Sequence, residues 1–139
     1  MLALTLLVPL AVGTLVMAGA GVSGQSSAAA APKVKCLHGR AARSTDVARG
    51  FPLPSSAVVF SRSRDRGARV IRGRAAGSLF ALRDFFARRL PASGYVLGAG
   101  DAEAYEAETD FVGNGVRGHL KLNTSFACPG TVDVAVVLR

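Results

Sequence analysis

The residues that most readily transfer protons near neutral pH are histidines, and the chain has two, His38 and His119. His119 is predicted to face Asp110 across a hairpin, as in a histidine–aspartate pair. Nucleophilic catalysis also needs a nucleophile within reach of the base, and no serine stands in a G-x-S-x-G context. A solvated cross-strand ion pair is the commoner reason for such an arrangement. We therefore expect no catalytic residues, and a hydrolase-type enzyme is the least favoured of three functions.

Metal and carboxylate chemistry have weaker support. A zinc site built from Cys36, His38 and Cys128 would lack an evident fourth ligand. Within the acidic run at residues 101–110, Glu106, Glu108 and Asp110 alternate regularly, which is typical of a solvated strand. Calcium loops and paired catalytic acids need several converging segments or an irregular loop. The sequence therefore predicts no metal site and no cofactor.

The two cysteines, Cys36 and Cys128, are predicted to form a disulfide, because an even cysteine count is typical of exported domains. Closing so long a loop would stabilise the fold by roughly 4 to 5 kcal/mol in the chain-entropy model. The alternative is a pair of free, buried thiols.

Arginines are concentrated in one short stretch, and the hairpin that carries them is called the arginine hairpin. Guanidinium groups bind phosphates and carboxylates, so the stretch is a candidate anion-binding site for an envelope polymer or lipid headgroup. The alternative is a solvated edge hairpin that its charge protects from pairing. The six residues are Arg62, Arg64, Arg66, Arg69, Arg72 and Arg74.

The net charge of +8 is unevenly distributed along the chain. Residues 33–74 carry eleven basic and two acidic side chains, whereas residues 75–139 carry six and seven. Such asymmetry favours an anionic partner. Composition offers a simpler explanation, because 14 of the 17 basic residues are arginine, as GC-rich coding produces. Nucleic acid is not expected as a partner, since no aromatic residues are interleaved with the arginines as stacking platforms.

The N-terminal segment is uncharged up to Lys33 and apolar over residues 2–16. Residues 1–24 are therefore predicted to be a signal peptide or an N-terminal membrane anchor, and residues 25–35 a flexible linker. Two features oppose export: no basic residue precedes the apolar run, and basic residues follow it. We expect an extracytoplasmic protein, secreted or anchored to the cell membrane by this segment.

Residues 36–139 are predicted to form a single domain with one amphipathic helix. The lead-in, residues 33–54, is expected to be held by Cys36 and to be largely without regular structure. Strands are predicted at 57–61 and 68–74, joined by a polar connection at 62–67. Ser78 is a good N-cap, and Pro91 is expected to stop the helix. The apolar stripe of this helix comprises Leu79, Leu82, Phe86 and Leu90.

The segment around Asn114-Gly115 predicts a hairpin with a defined register, because this dipeptide favours a two-residue turn. Counting outward places Phe111 opposite Gly118, and the acidic and basic residues of the two strands then also face each other. A slip of one residue would bury the acids. The opposed pairs on the polar face are Asp110 with His119 and Glu108 with Lys121.

The other predicted elements are a short strand at 95–97, a turn at 98–101, a strand from 103 to 112 and a final strand at 131–138. Val132, Val134, Val136 and Leu138 are expected to face the core. The order is β-β-α-β-β-β-β. The predicted class is α+β: an antiparallel sheet of about five to six strands with the helix packed on one face.

Three segments resemble a group of small exported or membrane-anchored proteins of actinobacterial type. They are the strand entry at residues 52–57 (PLPSSA), the helix end at residues 85–95 (FFARRLPASGY), and the Gly113-Asn114-Gly115 turn. The resemblance covers about two thirds of the chain. It implies a cell-envelope location and the fold, and it carries no activity and no site residues.

These observations favour a non-enzymatic extracytoplasmic accessory or binding domain with an unspecified ligand. The expected binding surface is the sheet face opposite the helix, or the rim where Arg88 and Arg89 would approach the arginine hairpin. The alternative function is electrostatic binding of an anionic envelope component through that hairpin.

Overall fold

Alternating apolar and polar residues build the described part of the chain into one seven-stranded antiparallel sheet. The computed structural model describes residues 36–139, so the leader predicted at 1–24 and the linker predicted at 25–35 lie outside the described residues. The strands are β1 Arg40–Ala41, β2 Val58–Asp65, β3 Ala68–Ala76, β4 Tyr95–Ala102, β5 Glu106–Gly113, β6 Val116–Thr124 and β7 Thr131–Leu138, and the helices are α1 Ser44–Val47 and α2 Leu79–Ala92.

The sheet order is β1-β2-β3-β7-β6-β5-β4. Strands β4 to β7 form a meander. The last strand, β7, pairs with β3, so the arginine hairpin (β2 and β3) lies next to β7 in the sheet and not next to β4, the strand that follows it in sequence. Helix α2 connects β3 to β4 and packs against β4, β5, β6 and β7. The predicted α+β class, with the main helix on one face of an antiparallel sheet, is confirmed.

Helix α2 forms as its capping residue and apolar stripe predict. The Ser78 hydroxyl accepts a hydrogen bond from the Ala81 N–H at 3.2 Å, which satisfies one of the free donors at the helix start. All four stripe residues are buried: Leu79, Leu82, Phe86 and Leu90. The predicted stop at Pro91 is wrong by one residue, since the helix ends at Ala92. Proline already has a helical φ, and the Ser93 N–H closes the last turn by donating to Arg89 and Leu90.

The β5–β6 hairpin has the predicted register throughout. Asn114 and Gly115 have φ of 49° and 78°, as a type I′ turn requires. Phe111 pairs with Gly118, and on the other face Asp110 pairs with His119. The last strand is also confirmed, and Val132, Val134, Val136 and Leu138 are buried in the core.

Two segments that were predicted to be connections form parts of strands. β2 continues through the polar residues to Asp65, and the turn is confined to Arg66 and Gly67, both with positive φ. Charged side chains fit this exposed hairpin arm because it is stabilised by its ladder rather than by burial. The predicted turn at 98–101 lies within β4, where the register shifts between Leu97 and Gly100 as in a β-bulge. The following strand begins at Glu106 rather than at residue 103.

Most of the described lead-in lacks regular structure, as predicted, but two short elements within it were not anticipated. It contains β1 and α1, and β1 pairs with β2 at the edge of the sheet, which brings the strand count to seven among the described residues. Val47 and Phe51 are each 1% exposed. The Phe51 ring centroid lies 5.3 Å from that of Phe111 and 5.7 Å from that of Tyr95. The lead-in therefore extends from its pairing with β2 at one edge of the sheet to contacts with β4 and β5 near the other, and closes the core there.

Candidate functional site

The face of the sheet opposite α2, here called the open face, carries the polar residues of the β5–β6 hairpin. On the other face Ala107, Phe111 and Leu120 are buried in the core. Because strand side chains alternate, Asp110 and His119 must project from the open face. This is the surface that the sequence predicts for binding.

His119 lies between two carboxylates on the open face. Its Nδ1 is 3.0 Å from Asp110 Oδ1, and its Nε2 is 3.5 Å from Glu108 Oε2. The imidazole is 34% exposed and the Asp110 side chain 63% exposed. The predicted histidine–aspartate pair is therefore formed, and both members are accessible to solvent.

Lys121 continues this line of charges. Its Nζ lies 2.7 Å from Glu106 Oε1 and 3.7 Å from Glu108 Oε2. The hydrogen bond that Lys121 donates to Glu106, together with the negative charges of Glu106 and Glu108, raises the pKa of Lys121. The alternating acids thus serve as partners for basic residues of β6, as expected for a solvated strand face.

A depression of about 440 Å³ opens on the same face, beside the His119–Asp110 pair. Its lining combines apolar side chains with two arginines, and it contains no serine, threonine, tyrosine or cysteine. A nucleophile for the His119 base is thus absent from the lining. The lining residues are Val96, Leu97, Gly98, Asp110, Phe111, Val112, Arg117, Gly118, His119, Val137 and Arg139.

The two arginines of this depression are cross-strand neighbours. Gly118 pairs with Leu138, and the Arg139 N–H donates to the Arg117 carbonyl at 2.9 Å, so Arg117 and Arg139 face each other one position further along the ladder. On its other side Arg117 pairs with Val112, which in turn pairs with Val96. Two valines and two arginines thus form one row across four strands.

A second depression, of about 310 Å³, lies on the helix side of the sheet between α2 and strands β4 to β6. Leu97, Leu120 and Leu122 form much of its apolar lining, and Arg83 and Asp101 also border it. Nothing in the sequence patterns pointed to this groove, because it depends on how α2 crosses the sheet.

The arginine hairpin does not present its six guanidinium groups as one patch. Arg62 pairs with Ile71 in the ladder, and Arg64 pairs with Arg69, which places these three arginines on the α2 side of the sheet. Arg72 and Arg74 alternate with the buried Ile71 and project from the open face. Arg66 lies in the turn.

On the α2 side, the lead-in supplies partners for the hairpin. Asp46 is buried and accepts hydrogen bonds from Arg40, at 2.8 Å, and from Arg62. The Arg40 hydrogen bond, opposed in part by burial, lowers the pKa of Asp46. Arg69 donates to the Val47 carbonyl. Arg62 and Arg69 thus attach the hairpin to the lead-in.

On the open face, Arg74 is held by Asp133 of β7, with Nε 2.6 Å from Oδ1, and its guanidinium lies 5.8 Å from the Phe60 ring centroid. Arg64, Arg66 and Arg72 have no acidic partner within residues 36–139. The other predicted rim, at Arg88 and Arg89, lies on α2, which packs against β4 to β7 rather than on the arginine hairpin.

Cys36 and Cys128 are joined by a disulfide with a Cα–Cα distance of 5.9 Å, well within the usual range. The bond is compatible with an extracellular protein. Since it uses both sulfurs, neither is a thiolate ligand for zinc. Within residues 36–139 no group of three or more histidine, cysteine, aspartate or glutamate side chains could hold a metal ion.

Among the residues that the structure describes, no helix is both long enough and apolar enough to cross a membrane.

Comparison of the chain with protein-family models, with curated proteins and with solved structures gives no match.

The open-face depression was not predicted from the sequence, although the predicted hairpin register already placed part of its row of residues together. The register counted from Asn114-Gly115 pairs Val112 with Arg117, and one further step across the sheet reaches Val96. Arg139 joins this row only through the β6–β7 pairing, and the connection between those strands has no tight turn from which a register can be counted.

Proposed function

We propose that this protein is a non-enzymatic, extracytoplasmic binding domain of the cell envelope whose ligand occupies the open-face depression. The observation that carries this proposal is the composition of the lining, which brings apolar side chains together with the guanidinium groups of Arg117 and Arg139. Small-molecule sites are typically concave, largely apolar and equipped with a few polar groups that fix orientation. The volume of about 440 Å³ lies within their usual range.

The absence of a nucleophile from this lining supports binding rather than catalysis. An imidazole such as His119 can act as a base, but the lining of the depression contains no hydroxyl or thiol from which it could accept a proton. Both His119 and Asp110 are also open to solvent, whereas a catalytic pair gains strength from exclusion of water.

The extracytoplasmic location is supported by two independent features. The Cys36–Cys128 disulfide is of a kind that persists in oxidising compartments. The uncharged, apolar N-terminal run has the composition of an export signal or anchor. We propose that this segment delivers the domain across the membrane, either with cleavage or as a retained anchor.

The proposal is tested by fractionating cells that produce the full chain and measuring intact mass before and after thiol alkylation. We expect protein in the envelope or medium, with no alkylation unless reductant is added. Retention of the purified full chain on isolated envelopes should fall when Val112→Ser and Arg117→Gln are combined. Full-length protein in the cytosol with both thiols alkylated would contradict the location, and equal retention of the double variant would contradict the site.

A second function is electrostatic binding of an anionic polymer or lipid headgroup through the arginine hairpin. It is favoured by Arg64, Arg66 and Arg72, which have no acidic partner within the described range. Retention on vesicles containing anionic lipid should fall steeply between low and moderate salt, and should fall further when these three become serine. Arg74→Ser is the matched control, because Arg74 is already neutralised by Asp133. Retention that is insensitive to salt and to the triple substitution would eliminate this function.

A further inference from the structure

The open-face depression contains an unrelieved pair of like charges. Arg117 and Arg139 project from adjacent strands at directly opposed positions, where Cβ atoms are typically about 5 Å apart. Neither side chain makes an ion pair or hydrogen bond with another described residue. Opposed like charges destabilise a sheet, so an anion placed between the two guanidinium groups would relieve their repulsion.

The apolar part of the depression begins directly beside these charges. Val112 is the ladder partner of Arg117 and is 46% exposed, and Val96 is the partner of Val112 and is 67% exposed. Valine is usually buried, and two adjacent exposed valines offer apolar surface that a ligand would remove from water.

The one side-chain carboxylate in the lining, that of Asp110, is directed toward His119, with 3.0 Å between Oδ1 and Nδ1. It is therefore engaged within the protein. Among the charged side chains of the lining, those without a partner in residues 36–139 are thus Arg117 and Arg139, which stand at one end of the row that the valines continue.

We propose that this depression binds an amphipathic organic anion. Its carboxylate or phosphate group would lie between Arg117 and Arg139, and its alkyl or aryl group would cover Val112 and Val96. Guanidinium groups match both oxyanions through paired N–H donors. This inference rests on the proposed function, because it names the ligand class of the same site.

The test is calorimetric titration of the full chain with octanoate and with octyl phosphate. Octanol supplies the apolar group without the charge, and inorganic phosphate and acetate supply the charge without the apolar group. We expect at least one of the two amphipathic anions to bind about tenfold or more tightly than octanol and than its own truncated anion. Binding of octanoate alone would identify a carboxylate ligand, and binding of octyl phosphate alone a phosphate ester.

Three variants connect the binding to the residues. Arg117→Gln and Arg139→Gln should each weaken the amphipathic anion about tenfold, the factor expected for loss of one charge-assisted contact. Val112→Ser should weaken it while leaving inorganic phosphate unchanged. Arg72→Gln is the matched control, and it should bind normally. Arg72 lies on the same face, has no acidic partner within residues 36–139 and lies outside the lining.

The inference would be overturned if octanol bound as tightly as the anions, if the two arginine variants bound normally, or if Arg72→Gln weakened binding equally. It would also be overturned if neither anion bound the wild-type chain. If neither anion bound but envelope retention still depended on Val112 and Arg117, the proposed function would hold and only the ligand class would be wrong. The two experiments therefore distinguish a failure of this inference from a failure of the proposed function.

Discussion

The arginine hairpin and the open-face depression both contain several arginines, and they differ in what surrounds the guanidinium groups. In the hairpin, Arg62, Arg69 and Arg74 each have a partner within the protein: Asp46, the Val47 carbonyl and Asp133. In the depression, Arg117 and Arg139 have none among the described residues and stand beside exposed valines. Half of the hairpin arginines are thus engaged within the protein, whereas neither arginine of the depression is engaged with another side chain of residues 36–139.

The difference follows from the topology. The lead-in lies over the α2 side of the hairpin and brings Asp46 and the Val47 carbonyl to it, and the disulfide attaches the start of the lead-in to the loop before β7. The depression lies at the end of the sheet where β4 and β6 begin and β5 and β7 end, and its lining comes from these four strands and Arg139. We expect substitutions in the first region to reduce stability and substitutions in the second to reduce binding.

The largest loss of stability should follow removal of the disulfide that holds the lead-in. Replacing both Cys36 and Cys128 with serine should lower the free energy of unfolding by about 4 to 5 kcal/mol, because the bond restricts a loop of roughly ninety residues in the unfolded chain. Urea unfolding measures the change. Reductant should destabilise the wild type by a similar amount and leave the double variant unaffected. A loss below about 1 kcal/mol would mean that the lead-in is held by its other contacts alone.

The next largest effect should come from Asp46→Asn. Asp46 is buried and accepts charge-assisted hydrogen bonds from Arg40 and Arg62, so the substitution should cost about 1.5 to 3 kcal/mol at neutral pH. Asp133→Asn is the matched control, because its carboxylate is 40% exposed and has one arginine partner, and it should cost less. Equal losses would show that the burial of Asp46 does not increase its contribution to stability.

The Asp46 contribution should also depend on pH in a definite direction. The pKa of Asp46 is lowered in the folded state by the Arg40 hydrogen bond, so its contribution is present above the ordinary aspartate pKa of about 3.9. It is lost as pH falls below that value, through the lowered pKa. The gap in unfolding free energy between wild type and Asp46→Asn should therefore be constant near neutrality and shrink below about pH 4. A gap that widened in acid would contradict the assignment.

How far the sequence predicts each region depends on the range of the contacts that form it. The β5–β6 hairpin was predicted with its full register because Asn114-Gly115 fixes the turn locally, and the two strand faces differ in polarity. Helix α2 was predicted because its stripe and cap are also local. The core contacts of the lead-in were missed because Phe51 packs against β4, β5 and α2, which lie far from it in sequence. Its two short elements, β1 and α1, have no periodicity to detect.

The candidate site was predicted in part for the same reason. The open face followed from the alternation along β5 and β6. The pairing of Arg117 with Arg139 depends on the β6–β7 ladder, which joins residues across an irregular connection that carries Cys128. The neutralisation of Arg62 by Asp46 likewise requires a tertiary contact that no local pattern encodes.

A smaller difference in the free energy of unfolding is expected between substitutions of two arginines on the same strand and face, Arg74 and Arg72. Arg74 is paired with Asp133 and lies near the Phe60 ring, whereas Arg72 has no acidic partner among the described residues. Arg74→Gln should lower the free energy of unfolding by about 0.5 to 1 kcal/mol, and Arg72→Gln should leave it unchanged. Thermal or urea unfolding distinguishes them. Equal values would remove the distinction between partnered and unpartnered arginines on which the comparison depends.

The smallest change in stability, and the only expected increase, should come from substituting an arginine of the depression. Because Arg117 and Arg139 oppose each other without an acidic partner, Arg117→Gln should remove a repulsion and raise the free energy of unfolding by a few tenths of a kcal/mol at low salt. Raising the salt to about 1 M should abolish the gain, since the Debye length then falls to about 3 Å. Arg139→Gln should behave in the same way, and the double variant should gain no more than either single variant because one substitution already removes the pair. A loss of stability above about 0.5 kcal/mol in Arg117→Gln would mean that this guanidinium has a structural partner, and the contrast with the arginine hairpin would fail.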